Sequence, residues 1–287
     1  MAYQKQHYVP FVYLREFSEN PTDDRKTSYI WRVSHPFIGR VKTVKACWEP
    51  FFNSKANPEQ AEGMFGHYEG KYADFAKRVS ARQPPNDWPT HFAPLIQMIS
   101  LHLRNPAYAN RTGEERARIY PNMEVEFWTT VIPPDSDPER LLETALLTLM
   151  DAWDVCVLET SEGSFVTSDN PVRLYAACDD TPPTILMMPV NPSAYAVAFR
   201  KSHWMLSNPT IGRLDYLRLN THAVRYCQQS VYCNVEPEAD EKVVFLEELK
   251  KRHASPGFFG DEIWCINRIP LVQRFDFLAP IKMEGAS

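Results

Sequence analysis

Three short segments hold residue types that can do chemistry. Gln6-His7-Tyr8-Val9-Pro10 places a histidine just ahead of a proline that can open a helix. The positive end of that helix favours the neutral imidazole, the form that takes a proton or binds a metal. Thr167-Ser168-Asp169-Asn170-Pro171 follows Phe165-Val166 and sets a carboxylate at a strand end, where rigid scaffolds present acids and ligands. His102-Leu103-Arg104-Asn105-Pro106 closes an apolar stretch with a guanidinium that can cap carbonyls or reach an anionic substrate. The first two have plain structural readings as well: a capping or core histidine, and an Asx-type turn ahead of proline.

The elements that must position these residues follow from periodicity. Phe11, Leu14 and Phe17 recur at helical spacing after Pro10, and Ser28–Val33 alternates with aromatic and β-branched residues as a strand does. Asn57-Pro58, with Glu59 and Glu62 in the early turns, predicts a long helix over Glu59–Val79. Trp88–Leu103 is predicted as a second helix, apolar around most of its circumference and therefore central. Two more helices are predicted, over Glu114–Trp128 and from Asp137 to about Asp151.

Beyond Asp151 the character changes. Asp154–Glu159 and Ser164–Thr167 read as a hairpin joined at Glu162-Gly163, and Thr184–Pro189 and Ala194–Phe199 as further strands. Leu219–Ser230 reads as a helix opened by Asn220-Thr221, and Glu238–His253 as a charged surface helix. Ile263–Ile269 and Val272–Phe277 read as extended chain. The expected fold class is α+β, a helical layer packed on a mixed or antiparallel sheet. It is expected as a single domain over 1–287, helix-rich over 1–152 and strand-rich over 153–287.

Composition narrows the chemistry. The chain has 287 residues, 44% of them hydrophobic, enough to fill a core, and 13% aromatic, more than a disordered chain carries. With 31 Lys+Arg against 36 Asp+Glu it lacks the strongly basic balance of a nucleic-acid coat, which leaves room only for a local basic cleft. It has 10 Gly and 24 Pro, and neither a G-x-G-x-x-G nor a P-loop pattern, so dinucleotide and P-loop nucleotide binding are poor expectations. The six cysteines form no C-x-x-C pair and read as reduced thiols. The N-terminus has no signal-peptide core and the chain no run of 18 apolar residues, so the expectation is a soluble, cytoplasmic protein away from membranes. Trp31, Trp48 and Trp128 can stack on bases, although a core of this size needs no such explanation for them.

Gln6–Pro10 followed by Tyr13-Leu14-Arg15-Glu16-Phe17 resembles the HYVPQ-x-YL-x-x-F opening of the domain of unknown function 4238 family of microbial and phage proteins. Phe165–Val172 resembles that family's second hallmark, FITSDNPV. Between them Glu69 falls where the family often has a helix glutamate, and Arg104 with Pro106 resembles its R-x-P element. Met188–Pro192 resembles its PLTP stretch and Leu219-Asn220 its LN ahead of a helix. The similarity runs from about Lys5 to Ser230; Phe11 stands where glutamine is usual, and Val190-Asn191 where Leu-Thr is. The phage and mobile-element setting of such proteins makes nuclease or toxin activity, or a part in phage defence, an expectation by association.

The resemblance also groups polar residues that would be costly to hold apart beside apolar runs. His7, Asp169 and Arg104 are expected as catalytic residues of a hydrolase acting on nucleic acid or another phosphodiester. Glu69 and Asp169 would hold Mg²⁺ or Mn²⁺, His7 would move a proton, and Arg104 would neutralise developing phosphate charge. Asn170, Asn220 and Arg15 are the candidate substrate-binding residues. The competing expectation is a non-catalytic binding or sensor protein. In it the same residues form a buried polar network, His7 bonded to Asp169, that locks the N-terminal segment onto the sheet. Both readings expect His7 and Asp169 in one cleft.

Overall fold

Asp87 and Pro89 show how local sequence starts an element here. The Asp87 side chain accepts the Thr90 N–H at 2.8 Å, satisfying one orphan donor of helix α3, Trp88–Leu103, whose first turn tolerates the proline. A computed structural model of the chain describes residues 5–50, 58–85, 87–105, 151–176, 183–254, 263–265 and 275–280. Ahead of α3 come β1 (Lys5–His7), α1 (Phe11–Leu14) with a 3-10 turn over Arg15–Phe17, β2 (Tyr29–Val33), β3 (Ile38–Lys42), β4 (Trp48–Pro50) and α2 (Pro58–Ser80). After it come β5 (Trp153–Glu159), β6 (Thr167–Ser168), β7 (Arg173–Ala176), β8 (Pro183–Asn191), β9 (Ala194–Arg200) and β10 (Trp204–Leu206). The chain continues through α4 (Arg213–Tyr226), β11 (Val231–Cys233), α5 (Ala239–Ala254), β12 (Ile263–Cys265) and β13 (Leu278–Pro280).

The class is α+β. A five-stranded sheet runs β12-β7-β8-β9-β5, antiparallel except where β12 meets β7. Leu186, Met188, Val190, Ala196 and Ala198 point from it into the core shared with α2 and α3. Ile185, Met187, Tyr195, Val197 and Phe199 fill a second core on the other face, with Ile211, Leu219 of α4, Phe275 and Phe277. Cover on both faces explains why Thr184–Val190 is an unbroken buried run and not an alternating one.

A smaller sheet, β3-β2-β11-β6, is antiparallel throughout. One face, Ile30, Val41 and Tyr232, joins the main core; the other, Val33, Val231 and Cys233, packs on Val224 of α4 and Phe245 and Leu249 of α5.

The structure corrects two elements. Ser164–Thr167 does not form a hairpin with β5: β5 pairs with β9, and β6 pairs with β11. The helix expected over Leu219–Ser230 instead spans Arg213–Tyr226, so Asn220 sits mid-helix and does not open it. The predicted helices over Glu114–Trp128 and Asp137 to about Asp151 lie outside the described residues, apart from helical Asp151 and Ala152. No described helix is long and apolar enough to cross a membrane.

Candidate functional site

Asp169 leaves the end of β6 nearly inaccessible, at 1% exposure. Its carboxylate accepts three successive backbone N–H groups: Gln228 to Oδ1 at 2.6 Å, Gln229 to Oδ2 at 2.7 Å and Ser230 to Oδ2 at 2.9 Å. Its own N–H donates to the Ser230 carbonyl at 3.1 Å. This is why α4 stops at Tyr226. Cys227 turns extended, at ψ 155°, and the next three amides face a carboxylate in place of continuing the helical ladder.

Arg104, at the C-terminal cap of α3, bridges two other parts of the fold. Its Nη1 donates to Glu69 Oε1 of α2 at 2.8 Å, and its Nη2 donates to the His7 carbonyl of β1. The guanidinium is buried, while Glu69 keeps about a fifth of its side chain exposed. The next residue, Asn105, extends the connection. Its Nδ2 lies 3.5 Å from the Asp169 carbonyl, and Gln228 Nε2 donates to its Oδ1. A continuous polar seam thus runs from Glu69 and the His7 backbone through Arg104 and Asn105 to Asp169 and the 228–230 loop. It joins β1, the helical layer and both partners of the β6–β11 connection.

The His7 ring enters this region through its own contact, Nε2 at 3.1 Å from the Val44 carbonyl. Next to it, Tyr8 N–H donates to the Cys47 carbonyl at 3.0 Å. Cys47 has φ 53°, a backbone region that side-chain-bearing residues seldom adopt, and its thiol donates to Tyr232 Oη at 3.3 Å. Burial and the nearby Asp169 charge push the Cys47 thiol pKa up, so it stays protonated.

The candidate substrate-binding residues have specific partners. Asn170 Nδ2 donates to the Tyr226 carbonyl at 2.9 Å, capping the end of α4. Asn220 grips the segment before β6, accepting Val166 N–H at 3.1 Å and donating to the Ser164 carbonyl at 3.1 Å. That two-point clasp occupies the backbone groups a β5 hairpin would have needed, the physical reason for the first correction above. Arg15 bonds Glu16 Oε1 at 3.1 Å and also reaches Asp23. Among the described residues, no group of three or more His, Cys, Asp or Glu is arranged to hold a metal ion.

Three further sets of residues stand outside the expected site. The first is the 228–230 loop itself, which was absorbed into a predicted helix. The second is Tyr13, whose hydroxyl donates to the Pro189 carbonyl at 3.0 Å and shares a 2.7 Å bond with Thr167 Oγ1, tying α1 to β8 and β6. The third is a cluster on the far side of β7. Arg173 donates to the carbonyls of Asn170 at 2.7 Å, Val172 at 2.8 Å and His222 at 3.3 Å, with its guanidinium 5.3 Å from the Tyr226 ring centroid. Tyr175 Oη lies 2.8 Å from His222 Nδ1. An arginine inside the apolar run Val172–Ala176 was the available signal.

Two outcomes test these assignments. Arg104→Ala removes the donor to Glu69 and to the His7 carbonyl and should lower stability by about 2–3 kcal/mol, read from denaturant midpoints at unchanged slope. Asn220→Ala strands the Val166 N–H, while the exposed Ser164 carbonyl keeps Tyr216 Oη at 3.2 Å, and should cost about 1 kcal/mol in the same measurement, with Asn220→Asp, which keeps the acceptor, recovering part of it.

Comparison with curated proteins and with solved structures returns no match. Residues 5–236, which include every residue of the polar seam, match the family described as Protein of unknown function (DUF4238), and the chain belongs to that family.

Proposed function

We propose that the protein is a binding or sensor protein for a phosphodiester-bearing partner, nucleic acid first among them, and that His7, Glu69, Arg104 and Asp169 serve as its frame. The observation that carries this reading is the Asp169 carboxylate, whose two oxygens are taken up by three consecutive amides. Three amide donors favour the ionised, loop-holding form of the carboxylate, and at 1% exposure it meets a substrate or ion only if the loop around it moves. Charge distribution supports the choice of partner. Between Arg15 and Lys45 basic residues outnumber acidic ones seven to four, although the chain as a whole is acidic. The Tyr29 ring there has Arg40, itself paired with Glu19, at 4.0 Å and Lys42 at 6.0 Å, so cations and an aromatic ring lie together.

The test uses a labelled single-stranded oligonucleotide incubated with the protein, with and without Mg²⁺ or Mn²⁺. The expected result is retention of the intact oligonucleotide, weakening steeply with salt. Divalent-dependent cleavage, abolished in Asp169→Asn at an unchanged melting temperature, would return the function to a hydrolase.

A further inference from the structure

Arg32 is the fourth of the five residues of β2, in register with Gly39 of β3 and Tyr232 of β11. Those three share the face that also carries Ile30 and Val41 into the main core, so the arginine emerges from beside a hydrophobic layer. Its Nε is buried and makes no hydrogen bond, and among the described residues no carboxylate pairs with its guanidinium. Several other arginines have a carboxylate partner: Arg15 with Glu16, Arg40 with Glu19, Arg104 with Glu69 and Arg218 with Asp215; Arg173 spends its donors on backbone carbonyls. Asp169, which acts on the same Cys47 thiol as Arg32, spends its oxygens on the 228–230 amides.

The side chain is nevertheless held in place. Its Cζ lies 5.0 Å from the centroid of the Phe37 ring, a cation–π distance. Phe37 can lie there because residue 39 is glycine: a Cβ at that position would come within 2.6 Å of Phe37 Cζ. The ring is 44% exposed. A partly desolvated cation with no counter-charge is unfavourable alone, and an anion delivered from outside removes that cost. The planar fork fits two phosphate oxygens at once, and an exposed ring beside it offers a face to a base.

We propose that Arg32 and Phe37 form a phosphate-binding point on the β2–β3 hairpin, the guanidinium taking a backbone phosphate of single-stranded nucleic acid and the ring an adjacent base. This rests on the nucleic-acid reading above and names its contact.

The experiment is a fluorescence-anisotropy titration of a labelled twelve-nucleotide oligothymidylate, about the length an exposed groove can track. It uses wild type, Arg32→Gln, Phe37→Ala and the exposed control Lys251→Gln on α5, each checked for its melting temperature. Arg32→Gln should weaken binding about tenfold and reduce the slope of log K against log salt by about one, since one phosphate contact is lost. Phe37→Ala should weaken it severalfold, and Lys251→Gln by less than about twofold. Phe37 is exposed, so its variant decides the question even where Arg32→Gln folds poorly. Wild-type binding that both hairpin variants retain in full overturns this assignment and leaves the nucleic-acid reading standing. A wild type that binds no oligonucleotide overturns both.

Discussion

Asp169→Asn is expected to cost the fold about 4 kcal/mol, for a reason visible in three bonds. Hydrogen bonds to a charged acceptor each contribute about 1.5–3 kcal/mol, and Asp169 accepts three of them from Gln228, Gln229 and Ser230. Asparagine keeps one carbonyl oxygen but turns an NH₂ group toward at least one of those amides, leaving a buried donor against a donor. At 1% exposure there is little water to take its place. For a chain of this size that loss corresponds to a melting temperature lower by roughly 10 °C. A calorimetric scan checks it; a change of under about 2 °C would mean that the amides are held by something other than the carboxylate.

The second large effect is a loss of stability in acid centred on His222. Burial first, then the charges of Arg173, Arg225 and Arg218, lower its pKa from 6.5 to about 3. The neutral ring takes the Tyr175 hydroxyl at Nδ1 and sits edge-on to Tyr226 and Phe275. The folded state therefore binds its proton less readily than the unfolded chain. Its contribution is complete above pH 6.5 and is lost as pH falls toward 3, by roughly 4 kcal/mol. Glu16 and Asp215, whose pKa values burial raises, act in the opposite sense, favouring the folded state as they take up protons. Stability measured from pH 7 to 3.5 should accordingly fall more steeply in wild type than in His222→Gln, which has no ring to protonate. Parallel curves would show that His222 is not the group responsible.

Much of the fold was legible because local signals and tertiary packing agree. Asp87, Pro89 and the apolar run to Leu103 specify α3 before any neighbour is considered, and the bounds predicted for it are those observed. Thr184–Pro189 and Ala194–Phe199 were recognisable as strands because both are short, nearly unbroken apolar runs and Asn191-Pro192 marks the turn between them. Where the reading failed, a long-range partner had claimed the backbone. Of the inward positions expected for that helix, Ala223, Val224, Cys227 and Val231, the first two are buried on α4, while Val231 lies on β11. The helix nonetheless starts at Arg213, behind a Gly212 that offers no side-chain cap, and ends where a carboxylate some sixty residues earlier takes the following amides. Neither boundary has a local signature. The same holds for Ser164–Val166, whose polar groups go to Asn220 and not to β5.

The site shows the same division. That Glu69, Arg104 and Asp169 belong to one region was implied by the family resemblance, which named none of their partners. Arg104 reaches the backbone of His7, and Asp169 reaches the backbone of 228–230. Backbone acceptors and donors carry no residue-type signal, so these partners leave no trace in the sequence.

The most direct test of the frame is amide hydrogen exchange at Gln228, Gln229 and Ser230, compared between wild type and Asp169→Asn under conditions where both are folded. If the carboxylate holds this loop, the three amides exchange slowly in wild type and at least about a hundredfold faster in the variant, while amides in the centre of β8 and β9 change far less. Fast exchange of all three in wild type, or protection that survives the substitution, would contradict the account.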